Sequence, residues 1–265
     1  MPADNLATAQ HARVQAQFGK SAHSYLKSAN HAKGGELQVM LELAAPVAGL
    51  EVLDVATGAG HTAITFAEAG ANVTATDITP EMLEVTRQHA ADKGLTITVT
   101  AAAAERLPFA DASFDILTCR IAAHHFADVP AFMREAARVL RPAGKLLIVD
   151  NLAPEDDTLA VVMNDVEKRR DPSHMRAFSL LEWLQVAASA GLDCMYVSRW
   201  TRSKNFVTWC DRMHMTAQDK DALERDILQL ENRAKRYFGV EGAATTVTTL
   251  NHEAALLLFA RVAFG

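Results

Sequence analysis

The sequence predicts an α/β fold built on a doubly wound, mostly parallel sheet, and three observations carry that expectation. Strand-like apolar runs alternate with segments of helical pattern from residue 51 to 150, the order that parallel strands joined by crossover helices require. The first run, Val52-Leu53-Asp54-Val55, passes into Ala56-Thr57-Gly58-Ala59-Gly60 and then into an Ala-rich stretch. That is a strand, a tight turn and a helix N-terminus. An acid, Asp77, closes the next strand-like run, Asn72–Thr76, nineteen residues beyond Gly58.

The elements follow in order. Residues 1–20 read as a helix in which Val14, Phe18, Ala22 and Tyr25 recur at helical spacing. Glu36–Ala45 forms a second helix, with Leu37, Leu41 and Ala44-Ala45 inward, and Pro46 ends it. Val52–Val55 is the first strand and His61–Ala69 the helix behind it. Thr79-Pro80-Glu81 opens the next helix with an N-cap, a proline at the first position and an acid in the first turn. Gly94 closes that helix. Thr96–Ala101 is the third strand and Ser113–Arg120 the fourth. Asp128 caps a helix with Phe132, Ala136 and Leu140 inward, and Arg141-Pro142-Ala143-Gly144 stops it before a fifth strand, Lys145–Asp150.

The second half changes character. Leu159–Glu167 is helical in pattern, and the polar run Arg170–Arg176 interrupts it, as pocket edge or solvated loop. Ser179-x-x-Glu182 is a capping box opening a helix that ends before Gly191. Cys194–Trp200 and Leu250–Ala263 are strand-like. The connection between them, 203–248, is mostly helical in pattern and long enough to call for a purpose, such as a lid or substrate-binding insertion.

Composition excludes several classes. The chain has 265 residues, 49% hydrophobic and 22% charged, with a net charge of −6. That length suits one domain with an insertion. Lys168-Arg169-Arg170 is the densest basic cluster, too short to track a phosphate backbone, so a nucleic-acid partner is disfavoured. Cys119, Cys194 and Cys210 lack CxxC spacing, which argues against a disulfide framework or a zinc site and fits a cytoplasmic protein. No apolar run approaches a membrane span and no leader layout is present.

The glycine turn alone fits two ligands. Gly58-x-Gly60-x-x-Ala63 also satisfies a dinucleotide fingerprint, so a nicotinamide-dependent oxidoreductase stands as an alternative. Asp54 opposes it. A carboxylate at that strand end would repel a pyrophosphate, but suits a ligand carrying an amino group and a sulfonium. Asp77 could accept both hydroxyls of a ribose. Asp54-x-x-x-Gly58-x-Gly60 followed by Asp77 resembles the class I S-adenosylmethionine-dependent methyltransferases. Within that class the chain resembles the type-11 small-molecule group, of which ubiquinone- and menaquinone-biosynthesis enzymes are examples.

The resemblance implies a Rossmann-like seven-stranded sheet, mostly parallel, with an antiparallel C-terminal strand and a helical insertion between the last two strands. It also implies a single methyltransferase domain over 1–265, with N-terminal helices in 1–50, a cofactor-binding core in 51–150 and a helical lid in 203–248. The cofactor would be S-adenosylmethionine, held by Tyr25, Asp54, Thr57, Gly58, Gly60, Asp77, Ile78, Met82, Ala104, Glu105 and Arg120. Ala102-Ala103-Ala104-Glu105-Arg106-Leu107-Pro108-Phe109 resembles the family's Gly-Asp-Ala-Glu-x-Leu-Pro-Phe segment, but Ala103 stands where an acid usually meets the adenine. Backbone groups of Ala104 and Glu105 would serve instead. Arg120, His124 and His125 fall where the family lines the space beside the transferring methyl. Either histidine could be a general base, since imidazole titrates near neutrality, and Arg120 could hold an anion or steady an enolate. The expected reaction is C- or O-methylation of a small, partly apolar acceptor, with N-methylation open and no metal required. A catalytically inert S-adenosylmethionine-binding module is the second alternative.

Overall fold

A computed structural model describes residues 3–19 and 35–261. The chain runs α1 (Ala3–Gly19), α2 (Gly35–Ala44), β1 (Glu51–Val55), α3 (His61–Glu68), β2 (Asn72–Asp77), α4 (Pro80–Asp92), β3 (Thr98–Ala101) and β4 (Phe114–Arg120). A 3₁₀ turn, Ala123–His125, leads to α5 (Val129–Val139), β5 (Leu140–Leu152), α6 (Asp157–Arg170) and α7 (Leu180–Ser189). Then come β6 (Leu192–Asn205), α8 (Phe206–Asp211), α9 (Ala217–Gln229), α10 (Asn232–Tyr237), β7 (Glu241–Ala243) and β8 (Thr246–Arg261).

Seven strands lie in the order β3-β2-β1-β4-β5-β8-β6, and the short β7 pairs with β8 off that path. The first five are mutually parallel. β8 is antiparallel to β5 and to β6. The parallel strands are apolar on both faces because both faces are covered. Alternation along each strand divides its side chains. Leu53, Val55, Leu146 and Ile148 join Phe132, Met133 and Trp183 of α5 and α7 on one side. Val52, Leu147 and Val149 join Met40, Ile64 and Phe66 of α2 and α3 on the other.

Local signals position the helices. Asp128 accepts a hydrogen bond from Ala131 N at 2.8 Å. In the capping box, Ser179 Oγ accepts from Glu182 N and Glu182 Oε2 accepts from Ser179 N. Three strands are longer than their apolar runs. β5 begins at Leu140, but Ala143 has a φ of 61° and the register with β4 shifts between Phe114 and Ile116, so regular pairing starts at Lys145. β6 and β8 extend to Asn205 and back to Thr246 through polar residues, because pairing between the two strands continues there. The connection between them is therefore 206–245. Its helices have an apolar centre of their own, where Phe206, Trp209, Cys210, Leu223 and Ile227 meet Val166 of α6 and Val247 and Leu250 of β8. Among the described residues no helix is long and apolar enough to cross a membrane.

Candidate active site

The C-terminal ends of β1, β2 and β4 open onto a cleft of about 980 Å³, its mouth included. Asp54 is buried at the end of β1. Thr57 Oγ1 and Thr118 Oγ1 each donate to its carboxylate at 2.6 Å. Burial raises its pKa to about 6, against those two hydrogen bonds and the more distant Arg120 guanidinium. Beyond it the backbone turns through left-handed values at Ala56, φ 53°, and Gly58, φ 55°. A non-glycine residue in that region costs about 1–2 kcal/mol, and such strain concentrates where a site must be shaped.

Asp77 braces the same turn. Gly58 N donates to its Oδ2 at 2.9 Å and Thr79 N to its Oδ1 at 2.8 Å. Burial raises its pKa against those amide donors. Neither Asp54 nor Asp77 has an ion-pair partner among the described residues. Two buried carboxylates facing one cleft therefore suit a ligand that brings positive charge and hydroxyl donors. Ala102, Ala103 and Ala104 form the adjoining wall after β3. The Glu105 carboxylate is turned aside: Ala127 N donates to it at 2.8 Å, and His11 Nε2 lies 3.3 Å away.

At the end of β4, Ile121 is left-handed, φ 56°, and the 3₁₀ turn presents two histidines differently. His124 pairs with Asp150, Nδ1 to Oδ1 at 2.5 Å, while His124 N donates to Asp150 Oδ2 at 2.9 Å. Burial opposes charge on His124, but Asp150 outweighs it and raises the imidazole pKa. His125 lines the cleft. Its Nδ1 lies 3.1 Å from Ser173 O, and its ring meets Phe18 edge-on at 5.1 Å. Burial, then the neighbouring His124, lowers its pKa to about 4. Both effects favour the neutral imidazole at His125.

Of the residues expected from the sequence, Asp54, Thr57, Gly58, Asp77, Ile78, Met82, Ala104, Glu105, Arg120 and His125 line the cleft. Two of the other three do not meet that expectation. His124 is drawn away by Asp150, so it does not face the cleft. Gly60 faces α4: a Cβ there would lie 2.8 Å from Thr86 Cγ2, and its φ is 80°, so it serves close packing. Tyr25 lies outside the described residues. Arg120 lines the cleft while donating to Glu36 Oε1 at 3.2 Å.

Sequence reasoning missed His11 and did not name Val14 or Phe18 as site residues, although all three line the cleft. α1 is anchored there by Gln10, whose Nε2 donates to His125 O at 2.9 Å and Ser173 O at 2.6 Å. The Arg170–Arg176 loop is no solvated surface at its centre: Asp171, Ser173 and His174 are buried. Met175 N and Arg176 N both donate to His124 O.

Residues 53–148 match the family described as a methyltransferase domain, Methyltransf_11. The uncharacterized methyltransferase YcgJ of Bacillus subtilis is 40% identical over 196 residues, covering 74% of this chain and 78% of that protein. The crystal structure of the Bacillus subtilis YcgJ protein superposes with a TM-score of 0.83 at 34% identity, covering 86% of this chain and 98% of that one. A methyltransferase-type structure from Bacillus halodurans gives a TM-score of 0.85 at 37% identity, covering 87% and 100%. Fold and cleft thus define a class I methyltransferase. The chain belongs to the Methyltransf_11 family, and its methyl donor is S-adenosylmethionine.

Proposed function

We propose that the protein methylates carbon or oxygen on a small, partly apolar acceptor, with His125 receiving the proton. The observation that carries this is an imidazole in the cleft wall whose Nδ1 is turned to Ser173 O, among the apolar lining residues Phe18, Ile121, Ala122 and Phe126. When bound, the donor supplies an electrophilic methyl on sulfonium for in-line displacement. Asp54 holds the amino end of the donor, and Asp77 the ribose while bracing the Gly58 amide. The apolar wall excludes water and orients the acceptor. Nδ1 is occupied by Ser173, so Nε2, which lies 4.0 Å from the buried Asp171 carboxylate, is the nitrogen left to take the proton.

Labelled-methyl transfer to a panel of phenols, enols and acids tests the reading. His125→Ala should lower kcat roughly 10²–10⁴-fold and leave S-adenosylhomocysteine affinity near wild type. A change confined to KM would make His125 a substrate-positioning residue. Tight donor binding with no transfer to any acceptor would favour an inert binding module.

A further inference from the structure

We infer that the acceptor is an anion whose carboxylate or phosphate oxygens are taken by Arg202 and Lys204 of β6. This rests on the small-molecule methylation reading above.

Topology brings these cations to the active edge. β6 and β5 are both antiparallel to β8, so β6 runs in the direction of the parallel strands. In register, Leu152 and Thr201 both face Glu253. Arg202 and Lys204 therefore sit just beyond the C-terminal end of β5, on the half-buried face of β6. The link to the cleft is direct. Arg202 Nη2 donates to Glu36 Oε1 at 3.0 Å, the same oxygen that accepts from Arg120. Arg120 of β4 lines the donor cleft, and Arg202 and Lys204 of β6 lie outside that wall, farther along the same sheet edge, so the anionic group is the end of the acceptor remote from the donor.

The charges there do not balance. Glu36 is shared by two guanidiniums. Glu167 is taken by Arg170 at 3.0 Å and His252 at 2.7 Å. Asp150, whose field reaches Arg202, is committed to His124 at 2.5 Å. Lys204 has no ion pair among the described residues. Its charged neighbours are Glu167 and three guanidiniums, of Arg202, Arg170 and Arg212. Burial, with the arginines, lowers the ammonium pKa to about 8. Residues 20–34 contain no Asp or Glu, so no carboxylate of that segment offsets the excess. A chain of net charge −6 thus gathers positive charge next to its active edge, where a half-buried, unpaired ammonium is unfavourable. An anion bound there removes that cost, and a guanidinium beside an ammonium matches carboxylate or phosphate oxygens.

The test is calorimetry on the protein loaded with S-adenosylhomocysteine, using benzoate against benzamide, 4-phenylbutyrate against its amide, and phenyl phosphate against phenol. In at least one pair the anion should bind about tenfold or more tighter than its neutral partner, the effect of one charge-assisted hydrogen bond. The pair that responds distinguishes carboxylate from phosphate. Lys204→Met and Arg202→Met should each abolish that preference, with S-adenosylhomocysteine affinity unchanged as proof of an intact fold. Lys204→Arg should retain it. Absence of anion preference in every pair, including absence of binding, overturns the inference, as does a preference that survives Lys204→Met. Methyl transfer to neutral acceptors alone would leave the methylation reading standing while removing the anionic acceptor.

Discussion

Replacing Asp54 by Asn should make the free protein more stable at neutral pH while weakening its hold on the donor. Asp54 is buried, and its pKa stands at about 6 in the fold against 3.8 as the ordinary value. A folded state with the higher pKa binds the proton more tightly than the unfolded state. Stability therefore falls as pH rises from 3.8 towards 6 and is flat above. The gap of roughly two pH units corresponds to about 3 kcal/mol of destabilisation at pH 8, at ~1.4 kcal/mol per unit. Asn carries no charge and avoids that cost. Its amide can still meet the hydroxyls of Thr57 and Thr118, one of which must turn to accept, so about 3 kcal/mol is a ceiling. Urea denaturation of both proteins at pH 5 and pH 8 measures it. The advantage of Asn should shrink by about 1.4 kcal/mol at pH 5. Calorimetry supplies the second half: wild-type affinity for S-adenosylhomocysteine should fall as pH drops below about 6, and Asp54→Asn should be weak and pH-independent. A stability difference that does not change with pH, or undiminished affinity in Asp54→Asn, would refute the assignment of a costly charge kept for binding.

Other substitutions separate neighbouring roles. Asp77→Ala should weaken S-adenosylhomocysteine binding by about 1–3 kcal/mol, the range for hydrogen bonds to a charged group. It should also loosen the Gly58 turn, seen as faster amide exchange at Gly58 and Thr79. His124→Ala should destabilise the fold by about 3–5 kcal/mol by leaving Asp150 buried without its cation, and denaturation at pH 6 reads that loss. Because Asp150 raises the His124 pKa, that contribution is full below the unfolded value and fades as pH rises through the folded one. The helices of 206–245 should resist limited proteolysis equally with and without donor, since Trp209 and Leu223 anchor them on α6 and β8. Cutting confined to the donor-free state would show a mobile cover instead.

What was legible in the sequence is what local chain geometry encodes. Asp54, Gly58 and Asp77 belong to two strands and one turn, so period and spacing place them at one sheet edge. The capping box at Ser179 and the cap at Asp128 are equally local. What sequence reasoning could not reach depends on residues far apart. Arg120 and Glu36 are separated by 84 positions, and Arg202 and Glu36 by 166. No spacing rule links three segments that meet only after β6 has been laid beyond β8. Adjacent histidines are a subtler case. His124 and His125 carry the same chemistry and differ by one step of a 3₁₀ turn, yet Asp150 at the end of β5 pairs one and leaves the other to the cleft. The polar side chains of the loop at 170–176 leave it readable from sequence either as pocket edge or as solvated loop. It is buried because Asp171 accepts from Ser173, and His124 O accepts the Met175 and Arg176 amides. A polar run thus has two opposite readings, set by whether partners of the right geometry lie within reach. Here those partners come from α1, the 3₁₀ turn and α6, and each is in place only once the sheet has formed.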